Sequence, residues 1–245
     1  MNIFSEIFEG LPRQGPGDAV STARALALLT DLPNEPRLLD IGCGSGMQTR
    51  VLAERTLGYI VAVDINGTSL AELRRSSNKI GLPSVIAPVR ASMSALPVLN
   101  ESFDAVWSEG AAYIMGFDGA LREWRHPLKG NGYVAISELT WLRPVPPKEV
   151  IHFWKANYPA MRSTGENLQA IRTSGYRETG HFVLPTSSWW NTYYGPLEER
   201  IVALRRKYQH EPQACEQLAS VALEIDLFRK HSDCYGYVFY TMRAN

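Results

Sequence analysis

The sequence predicts an α/β domain whose sheet is mostly parallel and is covered by helices on both faces. Short apolar runs rich in Val, Ile and Leu alternate with longer stretches in which apolar residues recur at helical spacing. A glycine-rich loop follows the first apolar run directly. This alternation is typical of right-handed β–α–β units, which place their strands side by side in parallel.

The first half of the chain supplies the alternation. Asp18 is placed to cap the first of four helices, which are predicted at residues 18–32, 47–57, 68–80 and 117–128. Five buried strands are predicted at residues 37–41, 59–64, 85–89, 103–107 and 132–139.

After Thr140 the pattern changes, and 16 of the aromatic residues lie after this point against 9 before it. We predict a short amphipathic stretch with Val150, Phe153 and Trp154, a helix at 166–173, a sixth strand at 177–184, a mostly helical region at 196–230 and a closing strand at 235–242. We expect one domain over residues 1–245, with a core at about 15–140 and insertions at about 141–175 and 185–233.

Composition and charge exclude several classes of protein. The 245 residues are 45% hydrophobic and 20% charged, which is ordinary for a globular domain. The 25 basic residues balance 25 acidic ones, so charge does not indicate a nucleic acid or an anionic membrane as partner. Residues 1–10 lack a signal-peptide pattern, and the three cysteines show no disulfide or zinc spacing. We expect a cytoplasmic protein without a metal site.

The glycine loop indicates a nucleotide-type ligand. Gly42, Gly44 and Gly46 lie between a predicted strand and a predicted helix, where glycine permits close approach of a ligand to backbone N–H groups. Asp64 ends the next strand 18 residues beyond the last glycine. That spacing is close to the ~20 residues expected for a carboxylate that binds ribose hydroxyls. A role for Asp64 in capping the following helix remains an alternative.

Two details favour S-adenosylmethionine over a dinucleotide. The loop has G-x-G-x-G spacing, whereas dinucleotide-binding loops have G-x-G-x-x-G. Asp40 precedes the loop, where a carboxylate would repel a pyrophosphate but suits a ligand that bears an ammonium and a sulfonium group. Capping of the loop's backbone amides is the alternative role of Asp40.

The motifs LLDIGCGSG, VAVDIN, ASMSALPV and FDAVWSEGAAY resemble the successive motifs of class I S-adenosylmethionine-dependent methyltransferases. The resemblance implies a Rossmann-like sheet of seven strands with the last antiparallel, and S-adenosylmethionine as cofactor with S-adenosylhomocysteine as product. More narrowly, RQGPG, WSEGAAYIMGF and YGYVFY resemble a bacterial subgroup of small-molecule methyltransferases.

The resemblance assigns cofactor contacts by motif position. The methionine end is expected at Asp40 and the loop and the ribose at Asp64, while Ile65 is expected to pack on the adenine, with Ser92 and Met93 at its edge. Many members of the family have Asp where Ser92 stands, so we expect a weaker adenine contact there. The full set of expected cofactor-binding residues is Gln14, Gly15, Asp40, Gly42, Gly44, Gly46, Gln48, Asp64, Ile65, Ser92, Met93, Ser108 and Gly110.

The methyl acceptor is expected at the ends of the fourth, fifth and sixth strands. Methyl transfer needs an aimed lone pair, exclusion of water and, in some cases, removal of a proton. The candidate catalytic residues are Glu109, Tyr113 and His181, and the candidate substrate contacts are Tyr113, Glu138, Trp141, Trp189 and Tyr193. Residues 189–194 are predicted to form an aromatic loop between two prolines. Helix capping, pairing with an arginine and ordinary packing are the alternative roles of these residues.

The sequence therefore predicts methyl transfer to a small-molecule amine, hydroxyl or activated carbon, by a monomer or a homodimer that binds neither nucleic acid nor membrane. A nicotinamide-dependent oxidoreductase and a non-catalytic S-adenosylmethionine-binding protein remain the alternatives. The loop spacing and Asp40 argue against the oxidoreductase.

Overall fold

The computed structural model describes residues 3–82 and 85–245. The strands are β1 Arg37–Ile41, β2 Tyr59–Asp64, β3 Ile86–Arg90, β4 Phe103–Glu109, β5 Leu128–Trp141, β6 Arg162–Ser163, β7 Tyr176–Val183 and β8 Tyr235–Ala244. The α-helices are α1 Ile3–Phe8, α2 Ala19–Leu26, α3 Met47–Thr56, α4 Gly67–Lys79, α5 Phe117–Glu123, α6 Lys148–Asn157, α7 Thr164–Thr173, α8 Ser187–Trp189, α9 Gly195–Lys207 and α10 Pro212–His231. Within these residues, no helix is long and apolar enough to cross a bilayer.

The strands form one mixed sheet in the order β3-β2-β1-β4-β5-β8-β7, and the two-residue strand β6 pairs with β5. The first five strands are parallel, and β8 runs antiparallel to both β5 and β7. Apolar side chains from the strands pack against helices in two clusters, one on each face of the sheet. The predicted Rossmann-like sheet with an antiparallel last strand is therefore confirmed, with β6 as a short addition.

The first two strands position the glycine loop. Both have the bounds that the sequence predicts, and their central residues are buried because helices cover both faces of the sheet. The order of strands reverses at β1, since β2 lies on one side of it and β4 on the other. In open α/β sheets this reversal opens a crevice at the carboxyl ends of the strands, where ligands bind.

Two helices are shorter than the sequence predicts. The helix predicted at 117–128 ends at Glu123, because Pro127 disfavours helical geometry in the residue before it and Leu128 already begins β5. The helix predicted at 18–32 ends at Leu26, and residues 27–29 continue in a turn. The expected cap is confirmed, since Asp18 accepts a hydrogen bond from the backbone N–H of Ser21 at 2.7 Å.

The predicted aromatic loop at 189–194 is wrong, because these residues are helical. Helix α8 runs through a π-helical turn at Trp190–Tyr194 into α9, which has Pro196 in its first turn. Trp189 is 2% exposed and stacks on Phe228 with ring centroids 4.1 Å apart. Tyr193 is 8% exposed and stacks on Tyr194. Both predicted substrate contacts are therefore core residues.

Candidate cofactor and acceptor site

The glycine loop, residues 42–46, follows the carboxyl end of β1 and leads into α3. Gly44 and Gly46 have φ angles of 53° and 77°, which favour glycine. A Cβ on Gly46 would lie 2.1 Å from Cδ1 of Leu73, so this glycine lets α3 begin tightly against α4. A Cβ on Gly44 would meet no atom within 4 Å, so this glycine faces open space. Gly46 is therefore needed for packing, and Gly44 leaves room for a ligand.

Asp64 joins the end of β2 to the glycine loop. Its Oδ2 accepts a hydrogen bond from the Gly44 N–H at 2.8 Å, and its Oδ1 accepts one from the Asn66 N–H at 2.8 Å. Asn66, rather than Asp64, caps α4, because its side-chain oxygen accepts from the N–H groups of Thr68 and Ser69. The alternative role of Asp64 as a helix cap is therefore wrong, and its carboxylate lines the cavity described below.

Asp40 lies behind the loop, out of reach of a ligand. It is completely buried and accepts hydrogen bonds from Thr49 Oγ1 at 2.6 Å and Gln48 Nε2 at 3.4 Å. Burial, reinforced by the charge of Glu109, raises the pKa of Asp40 to about 7. The expected direct contact with the cofactor is corrected accordingly, since Asp40 supports the loop through Gln48, which does reach the cavity. Capping of the loop amides is not its role either.

A cavity of about 420 Å³ lies at the carboxyl ends of β1, β2 and β4. This volume is within the range of small-molecule sites. Eleven of the thirteen expected cofactor-binding residues line it, namely Gln14, Gly15, Gly42, Gly44, Gly46, Gln48, Asp64, Ile65, Ser92, Met93 and Gly110. Asp40 and Ser108 do not line it, and Ser108 is fully buried. The cavity therefore brings together residues from five separate motifs.

Arg13 is a cavity residue that the sequence-based assignment missed. Its Nη2 donates to Glu109 Oε2 at 2.9 Å, and the two side chains are 7% and 1% exposed. Its Nη1 is buried and has no hydrogen-bond partner among the described residues. A buried guanidinium nitrogen without a partner is costly unless a ligand supplies an acceptor. The signal was available, since Arg13 begins the RQGPG motif.

Glu109, a candidate catalytic residue, is engaged on both oxygens. Besides the ion pair with Arg13, its Oε1 accepts from Thr22 Oγ1 at 2.7 Å and from Trp107 Nε1 at 3.0 Å. The carboxylate therefore anchors the segment before α2 to the end of β4. It borders the cavity but has no oxygen left free of protein hydrogen bonds.

Tyr113 and Glu138, two predicted substrate contacts, lie near each other, but only Tyr113 lines the cavity. Tyr113 lines the cavity, and its ring packs edge-on against Tyr158 with centroids 6.0 Å apart. The Tyr158 hydroxyl donates to Glu138 Oε1 at 2.7 Å, and burial raises the pKa of Glu138 to about 7. The hydroxyl of Tyr237 lies 3.5 Å from where a Cβ on Gly110 would stand. Neither Tyr158 nor Tyr237 was among the predicted site residues.

Two further candidate site residues, Trp141 and His181, do not line the cavity at the strand ends. Trp141 lines a second cavity of about 540 Å³ with Trp154 and Tyr158, under the rim residues Arg143 and Lys155. His181 stands on the edge strand β7, where its Nδ1 bonds Glu178 and its ring stacks near Tyr240. It does not line the cavity, so the proposed catalytic role of His181 is corrected.

The fold is Rossmann-like, with a cavity of small-molecule size at the switch point of its sheet. Residues 39–136 match the family described as a methyltransferase domain. The matched segment includes the glycine loop and Asp64, the residues on which the prediction of S-adenosylmethionine as cofactor depends.

Two characterised or named methyltransferases are similar to part of the chain. A protein named sterol methyltransferase-like 1 from Botryococcus braunii is 25% identical over 213 residues, which cover 82% of this chain and 53% of that protein. The ubiquinone/menaquinone biosynthesis C-methyltransferase UbiE of Xanthomonas oryzae pv. oryzae is 35% identical over 117 residues, 44% of this chain and 46% of that one. The chain spans about half the length or less of these curated relatives.

A solved structure matches the whole chain in fold. The S-adenosylmethionine-dependent methyltransferase from Geobacter sulfurreducens, crystallised with S-adenosylhomocysteine, superposes with a TM-score of 0.85 at 18% identity. The match covers 100% of this chain and 98% of that one. At this identity the similarity establishes the fold.

Proposed function

We propose that this protein transfers a methyl group from S-adenosylmethionine to an electron-rich carbon of a small, largely apolar molecule. The observation that carries the proposal is the cavity at the strand ends, which collects the glycine loop, Asp64 and the unpartnered nitrogen of Arg13. The carbon acceptor is supported by the relatives, which include proteins named as sterol and ubiquinone/menaquinone C-methyltransferases.

The cavity fits the cofactor on two structural observations. The open space at Gly44 leaves room for a ligand against the loop, and Arg13 Nη1 needs an acceptor such as the α-carboxylate of methionine. Asp64 would bind the ribose hydroxyls with the lone pairs that its two backbone hydrogen bonds leave free. Ile65 and Met93 would hold the adenine between apolar side chains.

S-adenosylmethionine supplies a methyl group that is electrophilic because it is bonded to a sulfonium. The chain's own residues would hold the acceptor in line with that group and keep water away. Tyr113 borders the cofactor cavity, and Tyr158 borders the aromatic cavity of Trp141 and Trp154. The edge-on contact between the two tyrosines makes them the wall between the two cavities. The acceptor body would lie in the aromatic cavity, with its reacting carbon at this wall.

The test is formation of S-adenosylhomocysteine from S-adenosylmethionine in the presence of defined acceptors. We would offer a short-chain quinol, a sterol with a side-chain double bond and, as a contrast, a primary amine, and identify the methylated atom by mass spectrometry and NMR. Acceptor-dependent turnover with a carbon acceptor, reduced by Trp141→Ala with cofactor affinity unchanged, is the expected result. Turnover only with the amine would contradict the carbon acceptor, and no turnover with intact cofactor binding would support a non-catalytic role.

A further inference from the structure

Two tyrosine hydroxyls at the cofactor cavity have no hydrogen-bond partner among the residues that the structure describes. They belong to Tyr113, which lines the cavity, and to Tyr237, which is 9% exposed. The Tyr237 hydroxyl lies 3.5 Å, and its ring carbons Cε1 and Cζ lie 3.6 Å, from where a Cβ on Gly110 would stand. Because Gly110 lines the cavity and has no side chain, the Tyr237 ring lies next to the cavity lining. The two phenols can therefore offer hydrogen bonds to a polar group of a ligand.

Both phenols are held by the packing of their rings. The Tyr237 ring packs against Trp189 with centroids 5.4 Å apart, and the Tyr237 carbonyl accepts from the Leu184 N–H at 2.9 Å. The Tyr113 ring packs edge-on against Tyr158 with centroids 6.0 Å apart. Side chains that are fixed before a ligand binds lose little conformational entropy on binding, which favours affinity.

Two carboxylates give this end of the cavity a negative potential. Burial raises the pKa of Tyr113, and the charges of Glu138 and Glu224 raise it further. The same two charges act on Tyr237, whose pKa burial also raises. Glu224 accepts the Tyr194 hydroxyl at 2.8 Å, and burial raises the pKa of its carboxyl group. In the described part of the chain, no arginine, lysine or histidine lowers the pKa of Tyr113 or of Glu224.

This combination of groups favours a cationic ligand group. The faces of aromatic rings and nearby carboxylates attract a cation, whereas the same carboxylates repel an anion. An ammonium group has three N–H donors, so it can pair with both phenol oxygens while its charge offsets the carboxylates. Arg13 also lines the cavity, but its charge is paired with that of Glu109. A neutral hydroxyl would satisfy the phenols and leave the negative potential uncompensated.

We propose that Tyr113 and Tyr237 form a subsite for a protonated amine of the methyl acceptor, which their hydroxyl oxygens bind and the charges of Glu138 and Glu224 stabilise. This inference rests on the proposed function and narrows the acceptor to a molecule that carries an aliphatic amine as well as its electron-rich carbon. Since Tyr113 also stands in the wall between the two cavities, the amine would lie close to the reacting carbon. Neither carboxylate needs to touch the acceptor, because electrostatic attraction extends beyond contact distance.

The test compares three probes that share a benzene ring and differ in the charge of the terminal group, namely 2-phenylethylamine, 2-phenylethanol and 3-phenylpropionate. Each is titrated calorimetrically into protein saturated with S-adenosylhomocysteine at pH 8, where an aliphatic amine is protonated. The sulfur of S-adenosylhomocysteine is uncharged, so the cofactor site is filled without a competing cation. The variants are Tyr237→Phe, which keeps the ring and removes the hydroxyl, and Glu224→Gln, which removes one negative charge.

Two matched controls make the same chemical changes away from the cavity lining. Tyr176→Phe removes a buried hydroxyl that donates to the Leu121 carbonyl at 2.9 Å. Glu6→Gln neutralises a carboxylate that, like Glu224, accepts a tyrosine hydroxyl, that of Tyr208 at 2.6 Å. Tyr176 and Glu6 do not line the cavity, so neither substitution should change the binding of the probes.

We expect the wild type and both controls to bind the amine about tenfold more tightly than the alcohol, and the carboxylate most weakly of the three. Glu224→Gln should remove most of this preference and leave the Kd of the uncharged alcohol unchanged. Tyr237→Phe should weaken the amine and the alcohol by about threefold or more, because both lose a hydrogen-bond partner. The Kd for S-adenosylhomocysteine should be the same in all of these proteins.

A wild type that binds none of the probes, or binds the alcohol or the carboxylate as tightly as the amine, would overturn the inference. A preference for the amine that survives both substitutions would overturn it as well. If Glu224→Gln binds the amine normally but loses affinity for S-adenosylmethionine relative to S-adenosylhomocysteine, the negative potential serves the sulfonium of the cofactor instead.

In each of these cases the wild type still binds S-adenosylhomocysteine, and the proposed function stands. Failure of the wild type to bind S-adenosylhomocysteine would overturn the proposed function and this inference with it. Thermal unfolding of each variant with S-adenosylhomocysteine shows whether a change in probe binding belongs to a folded protein.

Discussion

Arg13 and Glu109 form a buried ion pair across 96 residues of sequence, with the guanidinium Nη2 2.9 Å from the carboxylate Oε2. The pair fixes the segment before α2 at the edge of the cofactor cavity. Because the second oxygen of Glu109 is engaged by Thr22 and Trp107, the pair offers a ligand the free Nη1 of Arg13 rather than the carboxylate. Glu109 therefore acts as the group that positions Arg13.

The first prediction concerns this pair. Arg13→Met leaves the Glu109 carboxylate buried without its cation, which should lower the free energy of unfolding by about 3–5 kcal/mol. It should also weaken S-adenosylhomocysteine binding, because the carboxylate of the ligand loses its guanidinium partner. Urea denaturation and calorimetric titration measure the two effects.

The double variant Arg13→Met/Glu109→Gln separates them. The amide introduced by the second substitution is neutral and can still accept from Thr22 and Trp107, so we expect most of the stability to return while binding stays weak. Recovery of binding along with stability would show that Arg13 has only a structural role.

The second prediction contrasts two glycines of one loop. Gly46→Ala should destabilise the fold by more than about 1 kcal/mol, since its Cβ would lie 2.1 Å from Leu73 Cδ1 at a positive φ. Gly44→Ala has the same backbone strain but meets no atom, so it should cost about 1 kcal/mol of stability and lose cofactor affinity. Equal losses of affinity at matched stability in the two variants would contradict this division of roles.

The third prediction is a pH dependence from Asp40. Its pKa of about 7 in the folded protein exceeds the ordinary value of 3.8, so the folded state retains a proton that the unfolded state has released. The stability contribution is therefore fully present below about pH 4 and is lost as the pH rises to about 7. Asp40→Asn removes this term, and the free energy of unfolding of the wild type relative to that variant should fall across this window.

The difference in the free energy of unfolding between the wild type and Asp40→Asn should change by at most about 1.4 kcal/mol per pH unit. Urea denaturation of both proteins at pH 5, 6, 7 and 8 measures it. A difference that does not change with pH would show that Asp40 is ionised throughout.

The fourth prediction assigns Trp189 to the core. Trp189→Ala removes a side chain that is 2% exposed and stacked on Phe228, which should cost about 3–5 kcal/mol of stability. The affinity for S-adenosylhomocysteine of the folded variant should be unchanged, because Trp189 does not line the cofactor cavity. A tenfold loss of affinity in a folded variant would instead place Trp189 at the site.

The parallel half of the sheet was predicted well from the sequence, because the apolar runs and the loop glycines both indicate the same strands and turns. The apolar runs at β1 and β2 have the observed bounds, and the glycines between β1 and α3 mark the ligand loop by a conformational need that few other residues meet. The mixed sheet followed from these motifs and is confirmed, and residues 39–136 match a family described as a methyltransferase domain.

The acceptor side was predicted less well because its residues meet only in three dimensions. Tyr158, at the end of α6, contacts Glu138, and Tyr237 of β8 lies near Gly110. Neither contact can be predicted from the spacing of these residues in the sequence. The tandem aromatics at residues 189–194 were expected to form a loop, but they are helical, and Trp189 is buried against Phe228 of α10. His181 was predicted to be catalytic because of its residue type. Residue type does not indicate that His181 lies on β7, the edge strand of the sheet.

The central claim is that the cavity at Asp64 and the glycine loop binds S-adenosylmethionine. Calorimetric titration of S-adenosylmethionine, S-adenosylhomocysteine and NAD into the wild type and Asp64→Ala tests it most directly, with Asp226→Ala on the surface of α10 as the control. We predict micromolar binding of the first two ligands, weakened by about 1.5–3 kcal/mol in Asp64→Ala and unchanged in Asp226→Ala. Binding of NAD without S-adenosylhomocysteine, or equal affinity in Asp64→Ala, would contradict the account.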